Sequence, residues 1–151
     1  MKTVREILLA KGDQIFSVQP DSLVFEALKL MADKGIGALL VMDKEGNPVG
    51  VMSERDYARK VILVGKSSKE TLVKEIMSSQ VIYIEPERGP EECMALMINK
   101  RIRHLPVIQN KKLIGFISIG DVVKAVIDEK EFTIDQLVHY ITDTPHLSTT
   151  K

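Results

Sequence analysis

Apolar positions along this chain change period several times, and each change marks an element. "IFSV" (15–18) is a short apolar stretch of strand character, and Pro20, Asp21 and Ser22 supply a helix start. Phe25, Leu28, Met31 and Ala32 then recur at helical spacing until Gly35, which stops the helix. "ALLVM" (38–42) is a continuous apolar run of buried-strand length, and "DKEGNP" is a hairpin turn. "VGVMS" (49–53) returns as a second strand, followed by a helix from about Glu54 that puts Tyr57, Ala58, Val61 and Ile62 on one face. The order is strand, helix, strand, strand, helix.

The same order occurs twice. "VQPDSLVFEALKLMADKGIGALLVMD" (18–43) lies against "IEPERGPEECMALMINKRIRHLPVIQ" (84–109), with Pro20 on Pro86, Met31 on Met97, Ile36 on Ile102 and Val41 on Val107, all 66 residues apart. Past the hairpin turn the offset is 65, pairing Gly50 with Gly115, Ser53 with Ser118 and Asp56 with Asp121. One residue has been lost in a turn between intact strands, a change loops tolerate. A further echo, "VREIL" (4–8) and "VKEIM" (73–77), precedes each unit, and Val122, Val123, Val126 and Ile127 repeat the last helical face. The boundaries expected are 3–65 for the first repeat, 73–130 for the second, and 131–151 for a C-terminal helix and disordered tail. A unit of this size buries too little surface to stand comfortably alone. The fold class expected is therefore α/β (α+β), with two β-α-β-β-α repeats sharing a face about a pseudo-twofold axis.

Composition narrows the function classes. Lys plus Arg and Asp plus Glu both number 21, so no global field attracts nucleic acid or an anionic membrane. The single cysteine, Cys93 in "ECMALMI", excludes an intrachain disulfide and a cysteine-based zinc cluster and reads as a small buried hydrophobe. No apolar run approaches the ~18 residues of a membrane span, and "MKTVREILLAKG" is too charged for a signal peptide. A cytoplasmic location is the expectation.

The chemistry-bearing residues stand where the second hairpin strand of each repeat gives way to a helix, in "GVMSERD" (50–56) and "GFISIGD" (115–121). Ser-x-x-Asp at a helix start is the pattern of a capping box. Yet it comes twice in register, each time with a glycine opening the strand, which capping does not require. A helix N-terminus also favours phosphate. An aspartate one turn in can accept two hydrogen bonds from vicinal hydroxyls such as a ribose offers, and Gly120 would let a ligand approach the backbone.

These residues resemble a tandem pair of cystathionine-β-synthase (CBS) domains, the arrangement called a Bateman module, over about residues 3–130. The Gly-h-h-Ser/Thr-x-x-Asp motif, with h apolar, is present in both copies. The resemblance implies a cleft shared by the two repeats that binds AMP, ADP, ATP, NAD or S-adenosylmethionine. It places Asp56 and Asp121 on ribose hydroxyls and Ser53 and Ser118 near phosphate. Groups beside the first strand, from Ile36, Gly37, Ala38 and Leu39 and from Leu105 and Pro106, would enclose adenine. AMP is the leading ligand, with NAD next.

The two motifs are not equivalent. The first carries Arg55, with Arg59 and Lys60 a turn further on, where the second has Ile119 and Gly120. Conversely "RIRHLP" (101–106) brings Arg101, Arg103 and His104 where the first repeat has Gly35, Gly37 and Ala38. The expectation is that Arg55, Arg103 and His104 face the phosphates of a ligand on the Ser53/Asp56 side. Ser53, His104 and Asp56 lack the spacing and the oxyanion hole of a triad, and no zinc-protease or P-loop motif occurs, so neither catalysis nor a metal is expected. In the tail, Thr133 and Gln136 form the pattern of a further capping box, with Leu137, Val138 and Ile141 on one face, Pro145 ending the helix, and His139 and His146 as surface residues. The whole reads as a stand-alone regulatory nucleotide sensor, a homodimer acting on a separate downstream protein. The alternative is a structural module in which both motifs are only caps.

Overall fold

A computed structural model describes residues 2–12 and 14–143, apart from the side chains of 140, 142 and 143. The elements in order are α1 (Val4–Lys11), β1 (Ser17–Val18), α2 (Val24–Lys34), β2 (Ala38–Met42), β3 (Pro48–Ser53), α3 (Glu54–Lys60), short 3-10 turns at Ile62–Val64 and Val73–Glu75, α4 (Pro90–Lys100), β4 (His104–Gln109), β5 (Lys112–Ser118) and α5 (Ile119–Asp143). From α2 to α3 and from α4 to α5 the two repeats share one order. The first strand of the second repeat shrinks to a single bridging residue, Ile84.

The described residues divide into two compact units that cut across the repeats: residues 14–83 with 106–116, and residues 2–12 with 84–105 and 117–143. In the first unit, β1 pairs parallel to β2, and β2 antiparallel to β3 with Ala38 opposite Ser53. Helix α2 is the crossover between the parallel strands. Its core face is Val24, Ala27 and Met31, joined by Leu39, Val41, Met52, Val61, Val73 and Ile76. The helical face is therefore turned by one residue from the sequence expectation: Phe25 is half-buried and Ala32 exposed. Val24 N–H donating to Thr71 O and Phe25 N–H to Ser68 O orient the helix start. Gly35 ends α2 at φ 64°, a left-handed turn that glycine adopts without penalty. In "DKEGNP" the Asp43 carboxylate accepts from the backbone N–H of Glu45 and Asn47, which closes the turn around Gly46.

In the second unit, α5 packs on α4 and α1. Val4, Ile7 and Leu8 of α1, Cys93 and Met97 of α4, and Val122 and Ala125 of α5 are buried. Val4 N–H and Arg5 N–H donate to the carbonyls of Arg88 and Pro86, which anchors the start of α1. Cys93 is fully buried, and burial, helped by Glu92, pushes its thiol up to about 11, so it is an inert hydrophobe. Helix α4 ends on Arg101 at φ 57°, the position that Gly35 occupies in the first repeat.

The tail differs from its sequence expectation. No second helix begins at Thr133: α5 runs unbroken from Ile119 to Asp143. Residues 128–143 contain neither Gly nor Pro, so nothing interrupts the ladder. The Thr133 hydroxyl bonds back to Glu129 O instead of capping. Pro145 and His146 lie outside the described residues.

Candidate functional site

The register of each hairpin delivers its serine to the mouth of a helix. In the first repeat, β3 ends on Ser53 and α3 begins at Glu54, whose N–H donates to Gly37 O at 3.0 Å. In the second, β5 ends on Ser118, and Ile119 N–H donates to Arg103 O at 2.8 Å. These two bonds occupy equivalent positions in the repeats. They bring "IGAL" (36–39) beside Ser53, and "IRHL" (102–105) beside Ser118.

Both capping boxes are fully formed. Ser53 N–H donates to Asp56 Oδ2 at 2.9 Å, the Ser53 hydroxyl to the same oxygen at 3.1 Å, and Asp56 N–H to Ser53 Oγ at 3.2 Å. Ser118 N–H donates to Asp121 Oδ2 at 2.8 Å and Asp121 N–H to Ser118 Oγ at 3.2 Å. The capping half of the sequence reading is thus observed in both copies. The strand glycine has a structural cause in the first: a Cβ at Gly50 would stand 2.6 Å from Met77 Sδ and 2.9 Å from Ser78 O, where Val51 bridges to Ser78. Gly120 has no such demand, since a Cβ there would meet only Ser118 Oγ at 3.6 Å.

The surroundings of the two carboxylates differ. Asp56 has Lys60, one turn along its own helix, at 3.4 Å from Oδ1, while the same ammonium donates to Ile76 O at 3.0 Å. Asp121 receives Lys11 from the end of α1, with Nζ 2.7 Å from Oδ2. Burial alone would raise the Asp121 carboxyl, but the Lys11 and Ser118 hydrogen bonds outweigh it and hold the group below its ordinary range. His104 is part of the same cluster. Burial first, then the charges of Lys11 and Arg103 against the opposing pull of Asp121, push the imidazole down to about 4. The ring is neutral at physiological pH and offers a hydrogen bond, not a charge.

Of the residues expected to enclose an adenine, Ala38, Leu39, Leu105 and Pro106 are buried. Ile36 and Gly37 are half-buried, and Arg55 and Arg103 are exposed. Sequence reasoning missed Lys11: nothing in "LLAKG" announces a contact 110 residues away. It also missed a cleft of about 610 Å³ in the first unit, walled by Ile15, Ser17, Met42, Pro48, Tyr83 and Leu113 with Lys111 and Lys112 at its edge. Neither Ser53 nor Asp56 lines that cleft. Among the described residues no group of three or more His, Cys, Asp or Glu could hold a metal ion.

Two copies of one cradle, each built from strand end, helix start and reciprocal serine–aspartate bonds, are the mark of a duplicated module. The sequence profile of the CBS domain matches residues 4–63 and 73–128. The chain belongs to the CBS domain family. The mitochondrial CBS domain-containing protein CBSX3 of Arabidopsis thaliana is 39% identical over 148 residues, covering 92% of this chain and 71% of that protein. Protein MK0525 of Methanopyrus kandleri is 34% identical over 125 residues, and this chain spans 63% of its length. Among solved structures, a CBS-domain protein from Burkholderia ambifaria is 54% identical, with a TM-score of 0.81, covering 84% of this chain and 95% of that one. The tandem CBS repeats make this a Bateman-like module, regulatory in kind. No described helix is long and apolar enough to cross a membrane.

Proposed function

We propose that this CBS pair is a sensor of adenosine nucleotides, with AMP the leading ligand, NAD next, and ADP and ATP also accommodated. The observation that carries the reading is the doubled cradle. At each motif a carboxylate stands within one helical turn of a hydroxyl and a helix N-terminus. That set is suited to a ribose diol on the aspartate and a phosphate near the serine. In the nucleotide-bound state Asp56 and Asp121 hold ribose hydroxyls, Ser53 and Ser118 lie toward phosphate, and Gly120 lets the ligand approach the backbone. Arg55 reads the phosphate charge at the Ser53/Asp56 motif, Arg103 and His104 supply the corresponding polar groups at the Ser118/Asp121 motif, and groups of 36–39 and of 105–106 read the adenine edge, each at its own motif. The protein works as a cytoplasmic homodimer whose output passes to a separate protein.

A second reading has an observation of its own. Both capping boxes are complete as they stand, so the motifs satisfy every role a purely structural module requires. Two measurements separate the readings. Absorbance and mass spectrometry of a denatured extract detect an adenine compound that co-purifies. Calorimetry with AMP and GMP then asks for base selectivity, since a misread base leaves buried polar groups unpaired. Equal affinity for AMP and GMP, or no binding of either, would return the motifs to capping alone.

A further inference from the structure

We infer that the distal half of α5 is an interaction surface for a second copy of this chain, paired as a two-stranded parallel coiled coil. The proximal third of α5 is embedded in its unit through Val122 and Ala125. Beyond Glu129 the environment changes: every residue from Lys130 to His139 is exposed. Those residues are not polar throughout. Ile134 and Leu137 are each 58% exposed, with Phe132, Val138 and Ile141 also large and open. A helix of this length would be marginal in water without a partner for its apolar side, and exposed contiguous apolar surface marks an interaction site.

The spacing says what the partner is. Ile127, Ile134 and Ile141 recur every 7 residues, and Val123, Lys130 and Leu137 recur with the same period, interleaved at 3 and 4. This is a heptad seam with isoleucine at every a position and Val, Lys and Leu at d. β-Branched a residues with leucine at d favour two parallel strands. Such a seam is self-complementary, so the surface that fits it without further assumption is the same helix of another copy. Val123 and Ile127 are 38% and 48% exposed, so the seam continues from the tail onto the folded unit. Lys130 is the one charge on it. In register the two Lys130 side chains face each other, their stems packing on the seam while each ammonium turns outward to the partner's Glu131 at the neighbouring e position, whereas a shift by one heptad sets Lys130 against Val123 or Leu137.

The inference shares with the proposed function only the requirement for a second copy and is independent of any nucleotide. Sedimentation velocity on the full chain, the double variant Ile134→Asp with Leu137→Asp, and Leu137→Cys tests it. The wild type is expected to sediment as a dimer, and the double variant as a monomer with half that mass, whose circular dichroism loses no more helix than the distal half of α5 contributes. A double variant that remains dimeric would overturn the assignment of this surface while leaving the homodimer reading intact. A monomeric wild type would overturn both. Should the double variant fail to fold, Leu137→Cys decides: Cys93 is buried, so rapid oxidation to a disulfide-linked dimer comes from the d position. Failure to cross-link rejects the parallel pairing.

Discussion

The two CBS repeats build the same cradle and then treat its carboxylate differently. In the first, Asp56 is served by its own turn of helix and by a lysine four residues on, a local arrangement that any amphipathic helix can offer. In the second, Asp121 is held by Lys11 from a distant helix, and His104 stands beside both. A duplicated motif keeps its backbone geometry because hairpin register and capping specify it. The environment diverges because Lys60 comes from the first aspartate's own helix, whereas Lys11 reaches the second from outside its repeat. The first carboxylate thus keeps only a long contact with a lysine of its own helix, while the second is tied into a short ion pair with another element.

The largest expected consequence concerns pH. The folded protein keeps His104 neutral down to about pH 4, while in the unfolded chain the ring takes up its proton near 6.5. Between those values the unfolded state binds more protons, so this stabilisation is complete above about pH 6.5 and is lost as the pH falls toward 4. The full difference is roughly 3 kcal/mol. Asp121, whose carboxyl is depressed, adds a loss at still lower pH, as it protonates. The measurement is a denaturant midpoint from pH 7 to 4.5 for wild type and His104→Gln. The wild type should fall more steeply, and parallel curves would show that the ring titrates freely.

Next in size are the aspartates. A ligand at 100 times its Kd stabilises the native state by roughly 2.7 kcal/mol, a melting shift of about 5–10 °C for a chain of this length. Asp56→Asn should abolish that shift with AMP, because a carboxylate accepting two hydroxyl protons becomes an amide that accepts at one oxygen. Asp121→Asn should cost more stability without ligand, since it gives up the short ion pair with Lys11, and should reduce the shift less. Thermal melts with and without AMP check both. A shift undiminished in both variants would remove the aspartates from the nucleotide site.

A smaller effect sharpens the same contrast. The Lys11–Asp121 pair is partly shielded and short, so Lys11→Met should destabilise by about 1 kcal/mol, whereas Lys60→Met at its longer, more exposed contact should stay within about 0.5 kcal/mol. Equal losses in chemical denaturation would mean that the two carboxylates are held alike.

What the sequence made legible follows the range of the interactions involved. The hairpins, the helix stop at Gly35 and the two serine–aspartate capping boxes were readable because each is decided within a few residues. The orientation of α2 was off by one position because Phe25 and Ala32 fit an apolar stripe as well as Val24 and Ala27 do. Only packing against β2, β3 and the 3-10 turn at Val73–Glu75 chooses between them. The same limit explains "VREIL" and "VKEIM". Both use their glutamate to accept a backbone N–H, Glu6 from Thr3 and Glu75 from Leu72, yet one propagates into α1 and the other stops as a 3-10 turn. Lys11 was invisible for the plainest reason: its partner is set by the fold.

The smallest prediction tests the repeats against each other at one backbone position. Gly35 and Arg101 end α2 and α4 in the same left-handed conformation, at φ 64° and 57°. For an L side chain that conformation costs roughly 1–2 kcal/mol, from crowding of Cβ against the following carbonyl, while glycine gives back part of the advantage through its greater freedom in the unfolded chain. Arg101→Gly should therefore stabilise the protein by about 0.5–1 kcal/mol, and Gly35→Ala should destabilise it by a similar amount. Paired thermal melts in the absence of ligand measure both. If Arg101→Gly lowers the melting temperature instead, the arginine contributes contacts worth more than its backbone strain, and the second repeat retains it for its side chain.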